Sequence, residues 1–201
     1  MADYIWSDPH LGHTNIIRYC NRPFLDREGH PDTEAMNKAL LRAWRETVKG
    51  NDTIITLGDV CFKWEKEKLA NTIQNLPGHK ILILGNHDGE KDPKNRHNKL
   101  KFWYDVGFDE VYPWPIIYNE WYILSHEPVF LNAAIPYMNV HGHWHDKSFV
   151  EPYYVNVCVE QTNYKPILLS SVLPVTEEMS KFEHVAPPGA IHLHDGEVHH
   201  R

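Results

Sequence analysis

The chain has only three cysteines among its 201 residues, Cys20, Cys61 and Cys158, an odd number with no CxxC pair. That excludes a disulfide scaffold, a thiolate zinc knot and a redox couple, and the thiols are expected to be reduced in a cytoplasmic setting. No run approaches the roughly 20 apolar residues that a membrane-spanning helix needs, and Met1-Ala2-Asp3 lacks the basic and apolar regions of a leader. A soluble protein with no membrane partner is expected. Positive charge is also scarce: 20 Lys and Arg face 27 Asp and Glu, a formal net charge of −7. Stable binding along a nucleic-acid backbone relies on clustered cations that release counterions, so it is not expected. What the chain has in quantity is histidine, 15 residues, a supply that suits imidazole as a ligand.

With 42% hydrophobic and 23% charged residues, the length fits one domain with a sizeable core. Residues 1–175 carry the periodic patterns, and residues 176–201 read as a His-rich appendage with His192, His194, His199 and His200. Tyr4-Ile5-Trp6 is a short apolar strand. Residues 32–48 predict a helix, capped by Asp32 or Thr33, with Met36, Leu40, Trp44 and Val48 as its buried stripe. Residues 53–57 and 80–84 are β-branched or aliphatic runs, with a helix over 65–76 between them. Five shorter strands follow, at 111–112, 115–118, 121–124, 138–140 and 153–157, and Asn119-Glu120 suits a tight turn. The pattern predicts an α/β fold, a two-sheet β-sandwich flanked by helices.

Chemistry-bearing clusters stand where the strands end: Ser7-Asp8-Pro9-His10, Gly58-Asp59, Gly85-Asn86-His87-Asp88, Ser125-His126 and Gly142-His143-Trp144-His145. A parallel sheet delivers such ends to one edge. Asp8 and His10 alternate, as do His143 and His145, so in an extended strand end each pair projects to one side. Asp59 has two oxygens and can bridge two cations, or cap a helix. Asn86 offers a neutral amide oxygen, although GNHD also suits a hairpin turn. His87 stands beside a carboxylate, Asp88, that can set its tautomer. His126 fits a further ligand or a core histidine. Together the clusters read as one dinuclear metal site for hydrolysis of a phosphoester.

The ordered set DxH, GD, GNHD, an isolated His and GHxH closely resembles the calcineurin-like metallophosphoesterase superfamily, over about residues 3–166. The resemblance implies the four-layer αββα form of the sandwich. It also implies Asp8, His10 and His145 as ligands of one metal, Asn86, His126 and His143 as ligands of a second, and Asp59 as the bridge. His87 is similar to the family's catalytic histidine and Asp88 to its orienting partner. Residues 8–18, Asn21-Arg22-Pro23-Phe24 and residues 156–162 resemble a compact bacterial and bacteriophage group. Protein Ser/Thr phosphatases differ, because their GD continues as GDxVDRG and their histidine motif is GNHE.

Such a ligand set implies two divalent ions about 3.5–4 Å apart that activate a bridging hydroxide for in-line attack. Oxygen and nitrogen donors without thiolate suit Mn, taken as the first choice, with Fe, Zn, Ni or Co as alternatives. Arg18 is read as a bidentate phosphate ligand or a solvated helix residue, and His13 and Asn15 as its assistants. The expected substrate is a small phosphodiester, a nucleotide or cyclic nucleotide, with stacking on Trp64, Trp103, Trp114, Trp144 or Tyr137 where these are not core. A phosphomonoesterase or nucleotide pyrophosphatase is the alternative, and a non-catalytic scaffold of the same fold is the reading from another class.

Overall fold

A computed structural model describes residues 1–89, 96–132, 137–151, 153–172, 192–194 and 197–199. Its first half runs β1 (Asp3–Trp6), α1 (Thr14–Tyr19), α2 (Thr33–Thr47), β2 (Thr53–Thr56), α3 (Lys66–Gln74), β3 (His79–Ile83) and α4 (Arg96–Val106). The second half is β4 (Glu110–Tyr112), β5 (Ile116–Tyr118), β6 (Tyr122–Ser125), β7 (Met138–His141), β8 (Tyr154–Asn156) and β9 (Ile167–Leu168). One sheet has the order β4-β3-β2-β1-β9, parallel except for β9. The other has the order β5-β6-β7-β8, with only the β5–β6 pair antiparallel.

Strand alternation explains the layers. Ile5, Ile55, Ile81 and Ile83 point one way and pack on Leu124, Met138, Val140 and Val157 of the second half, filling the space between the sheets. Their neighbours Trp6, Ile54 and Leu82 point the other way, onto Met36, Leu40 and Trp44 of α2, Leu69 and Ile73 of α3, and Trp103 and Val106 of α4. Each fully buried side chain contributes about 1.5–3 kcal/mol. Because β2 and β3 are buried on both faces, their centres Ile54-Ile55 and Ile81-Leu82-Ile83 read as continuous apolar runs. The result is the expected pair of sheets flanked by helices. Among the described residues no helix is long and apolar enough to cross a membrane.

Local chemistry matches the reading at several ends. The Asp32 carboxylate accepts from the Ala35 N–H at 2.8 Å and caps α2. Asn119 and Glu120 both take positive φ, 47° and 62°, in the turn between β5 and β6. Neither α4 nor β9 was anticipated. Helix α4 begins with four polar residues and then runs Phe102-Trp103-Tyr104 together, which breaks the helical spacing. Strand β9 has two residues, too few to show a period.

The expected domain boundary at 175/176 and residues 176–191 of the appendage lie outside the described residues, as does His200. His192–His194 (β10) pairs antiparallel with Glu197–His199 (β11).

Candidate metal centre

The first sheet continues into its loops. After β1, Asp8, His10 and Leu11 donate backbone N–H groups to the carbonyls of Gly58, Asp59 and Val60 after β2, at 3.2, 3.0 and 3.0 Å. Asp8 and Asp59 are thereby held side by side. From the other sheet, Gly142 N–H donates to His126 O, and Val159 N–H donates to Ser7 O, so the two sheets close around one edge. Glycine is required at two points. Gly58 has φ +90°, and a Cβ there would strike the Gly85 backbone; a Cβ on Gly142 would strike the Ser7 and Asp8 side chains.

The backbone corrects one expectation. Asp8, His10, Asp59, His143 and His145 have φ of 58°, 49°, 52°, 67° and 49°. These pairs reach one place through alternating left-handed residues rather than along extended strand ends. Such conformations are uncommon for residues with a Cβ and persist where surrounding structure holds them, often at functional sites.

The side chains form two donor sets around one carboxylate. His10 Nε2 lies 3.4 Å from Asp59 Oδ2 and 3.6 Å from Asp8 Oδ1, and His145 Nε2 lies 3.8 Å from Asp8 Oδ1. On the other side of Asp59, His126 Nε2 is 3.6 Å from Oδ2. Asn86 Oδ1 lies 2.8 Å from His126 Nε2 and 3.0 Å from His143 Nδ1. The structure thus brings the seven residues to one place, with Asp8, His10 and His145 on one side of Asp59 and Asn86, His126 and His143 on the other.

Whether these groups suit cations is decided by what their other atoms do. Asp8 Oδ2 accepts from Ser7 Oγ at 2.6 Å, from His143 N–H at 2.8 Å and from the Cys158 thiol at 3.2 Å. Its Oδ1, like His10 Nε2, is buried with no hydrogen-bond partner. An orphaned buried carboxylate oxygen is costly unless something positive meets it. The imidazoles are fixed from behind: His10 Nδ1 pairs with His13 Nδ1 at 3.4 Å, His126 Nδ1 with Leu57 O at 2.7 Å, and His145 Nδ1 with Glu160 Oε1 at 3.1 Å. Each leaves Nε2 turned inward, as a metal-ligating histidine requires. Asp8, His10 and Asp59 present donor atoms within 4.8 Å of one another. The residues fit divalent cations.

The local field agrees. Burial opposes charge on Asp8, yet His10, His126 and His145 outweigh it and hold the carboxyl well below its usual range. Burial would lower His145, but Cys20, Glu160 and Asp8 push it up to about 10. Positive charge is strongly favoured between these carboxylates, and a bound cation would take the proton's place.

Asp88 has a different place from the one expected. Its oxygens accept from the backbone N–H groups of Asp59 at 2.6 Å, Val60 at 3.0 Å and Gly85 at 2.9 Å. It therefore ties the loop after β3 to the loop after β2 instead of gripping the His87 ring. Burial and the Asp59 charge push its pKa up to about 7. Asp59 Oδ1 completes the tie by accepting from His87 N–H at 2.9 Å. The His87 ring itself is exposed, with its centroid 5.6 Å from that of His10.

A cleft of about 980 Å³ opens over the first donor set, lined by His10, His13, Asn15, Tyr19, Phe62, Lys63, His87, Trp144, His145 and Lys147 among others. His13 and Asn15 are among the lining residues. Burial, with His10 and His87 nearby, lowers His13 to about 4. Arg18 is exposed on α1 and outside this lining, to which Asn15, Ile16 and Tyr19 of the same helix contribute. On the flank of the second set, Asn86 and His126 also line a groove of about 310 Å³ with Trp114 and three prolines. Of the other aromatics, Trp103 is core, Trp64 packs against the core and Trp144 stacks on Phe149 at 4.1 Å. Tyr137 is half-buried.

A family model for calcineurin-like phosphoesterases matches residues 4–198. The chain belongs to this family. It is a metallophosphoesterase, a metal-dependent hydrolase of phosphoric esters. An uncharacterized protein of Methanocaldococcus jannaschii is 34% identical over 178 residues, 87% of this chain and 91% of that one. The gene 66 protein of Mycobacterium phage L5 is 33% identical over 107 residues, 52% of this chain and 48% of its own length. The crystal structure of a protein of unknown function from Aquifex aeolicus superposes with a TM-score of 0.61 at 26% identity, covering 85% of this chain and 97% of that one.

Four residues behind and beside the centre were not assigned from sequence: Arg22, Glu160, Lys63 and Lys147. Arg22 and Glu160 lay within the quoted motifs Asn21-Arg22-Pro23-Phe24 and residues 156–162, with no local signal that they would meet. Lys63, at φ 56°, and Lys147 bring cations to the cleft.

Proposed function

We propose that the chain hydrolyses a small phosphodiester at a dinuclear metal centre. The observation that carries this reading is Asp59 Oδ2, placed 3.4 Å from His10 Nε2 and 3.6 Å from His126 Nε2 so that one carboxylate serves both donor sets. Asp8, His10 and His145 would hold one cation, and Asn86, His126 and His143 the other. Two divalent ions there would acidify a water and clamp phosphoryl oxygens, the chemistry that phosphoester hydrolysis requires. Mn is taken as the first choice, and Fe, Zn, Ni or Co would suit the same oxygen-and-nitrogen donor set.

The protein's own groups do the rest. His87, exposed at the cleft, donates a proton to the departing oxygen. Asp88 holds the backbone that carries Asn86 and His87. Lys63 and Lys147 supply positive charge to a polar part of the substrate. Open space on both flanks of the donors favours an ester with two organic arms over a monoester. Three free cysteines suit a reducing, cytoplasmic setting, and the net charge of −7 argues against long nucleic acids as partners.

The test is turnover of bis(p-nitrophenyl) phosphate against p-nitrophenyl phosphate in added Mn. Faster cleavage of the diester is expected. The reverse ratio would replace this reading with a phosphomonoesterase or pyrophosphatase, and turnover of neither would favour the non-catalytic scaffold. Retention of all seven donors and His87 argues against that last outcome.

A further inference from the structure

His145 is approached from two sides. Its Nε2 faces Asp8 Oδ1 at 3.8 Å within the first donor set, while its Nδ1 faces Glu160 Oε1 at 3.1 Å behind that set. Cys20, the residue that ends α1, completes the second environment. Its thiol is hydrogen-bonded to the His145 ring, and its sulfur, a ring nitrogen of His145 and a carboxylate oxygen of Glu160 all lie within 4.8 Å of one another.

Two observations point to a cation there. The Glu160 side chain is only 5% exposed, and Arg22 occupies Oε1, yet Oε2 is buried with no hydrogen-bond partner among the described residues. An unmet buried carboxylate oxygen is costly unless something positive reaches it. Cys20 also lines the 980 Å³ cleft, so an ion from solvent has a path and a water can fill a fourth position. Cys158 differs: it is fully buried, its thiol donates to Asp8 Oδ2, and its sulfur accepts from His145 N–H, so it belongs to the first donor set.

A thiolate, an imidazole and a carboxylate, with water as the fourth ligand, suit zinc and its soft relatives rather than Mn. The thiol proton leaves to solvent on binding. His145 then decides the consequence, because a neutral imidazole has one N–H and one lone pair. While Nε2 ligates the first cation, the proton sits on Nδ1 and is donated to Glu160. A cation on Nδ1 sends that proton to Nε2, which then cannot ligate.

We infer that Cys20, His145 and Glu160 form an inhibitory site for a thiophilic divalent cation of the zinc class, which takes His145 from the first donor set. The binding stands on this geometry; the inhibition rests on the metal-centre reading above.

The experiment titrates the Mn-loaded full chain with cadmium, a spectroscopic probe of this class, and reads the ultraviolet band of a cadmium–thiolate bond together with the Mn released. Wild type should show the band and lose Mn as it grows. Cys20→Ala should lose the band, and the cadmium needed to release Mn should rise by at least the roughly 10–100-fold that follows loss of an orienting partner. Cys20→Ser, nearly the same in shape, should behave alike, which separates a lost ligand from a misfolded chain. A band that survives both substitutions would overturn the site, and cadmium bound at Cys20 with Mn fully retained would overturn the sharing of His145. Zinc inhibition of diester turnover, with each variant set against its own uninhibited rate, should need roughly tenfold more zinc or greater in Cys20→Ala; no shift would overturn the inhibitory role. If no variant turns over the diester, a Cys20-dependent band with Mn release leaves this site standing and removes the phosphodiesterase reading, whereas turnover without the band does the reverse.

Discussion

Arg22 and Glu160, 138 residues apart, form a buried ion pair directly behind the first donor set. Arg22 reaches Glu160 Oε1 through Nε at 2.9 Å and Nη2 at 2.8 Å, and the same oxygen lies 3.1 Å from His145 Nδ1. The guanidinium also donates to the carbonyls of Asp8 at 2.8 Å and Pro9 at 3.0 Å. One side chain thus steadies the loop that carries Asp8 and His10 and the carboxylate that orients His145. Burial opposes charge on Glu160, but His145 and Arg22 overcome it and keep its carboxyl below the usual range.

Glu160→Gln should weaken metal retention by roughly 10–100-fold, since partners that orient ligating histidines act at that scale. It also strands a buried guanidinium, at a cost of about 3–5 kcal/mol in stability. The double variant Arg22→Met/Glu160→Gln removes both charges and should recover part of the stability without recovering metal. Metal content after a chelator challenge, read beside thermal melts, separates the two effects. Undiminished metal in both variants would show that the pair is only structural.

His87→Ala should reduce turnover by roughly 10² or more, the range of a positioned general acid. Its metal content should match wild type, because the ring belongs to neither donor set. Unchanged kcat would remove His87 from the chemistry.

Asp88→Asn tests the tie between loops. An amide offers one accepting oxygen where the carboxylate offers two, and its NH₂ would face backbone N–H groups. A loss of about 1–3 kcal/mol is expected for the unmet buried donors, seen as a lower melting temperature even before metal is added. A variant with normal stability but altered pH dependence of kcat would restore the role of orienting His87.

Arg18→Ala should leave KM and kcat at wild-type values, while Lys63→Met should raise KM for an anionic substrate several-fold. Kinetics on both variants in parallel decide between the cation suggested by sequence spacing and the one that borders the cleft. A large effect at Arg18 with none at Lys63 would reverse the assignment.

The site was more legible than the scaffold around it. Every donor follows a short apolar run, and such runs, parallel and buried on both faces, can only end at one edge; position along the chain therefore encoded position in space for Asp8, Asp59, Asn86 and His126. Helix α2 was equally plain, with its stripe from Met36 to Trp44 and its Asp32 cap. Asp88 was misplaced because adjacency to His87 says nothing about which backbone N–H groups a carboxylate meets across a turn. Lys63 carried no signal beyond its place after Gly58-Asp59, and its approach to the cleft depends on a left-handed loop residue, φ 56°, that no sequence period records. The Arg22–Glu160 pair spans most of the chain, and no local period records such a contact.

The left-handed backbone at Asp8, His10, Asp59, His143 and His145 bears on how the centre can be dissected. Each of these side chains already carries a Cβ at φ between 49° and 67°, a strain of about 1 kcal/mol or more that the fold holds in the wild type. Alanine keeps that Cβ and removes only the donor, whereas glycine removes the donor and releases the strain as well. The difference between an alanine and a glycine variant therefore separates the ligating atom from the bend that carries it.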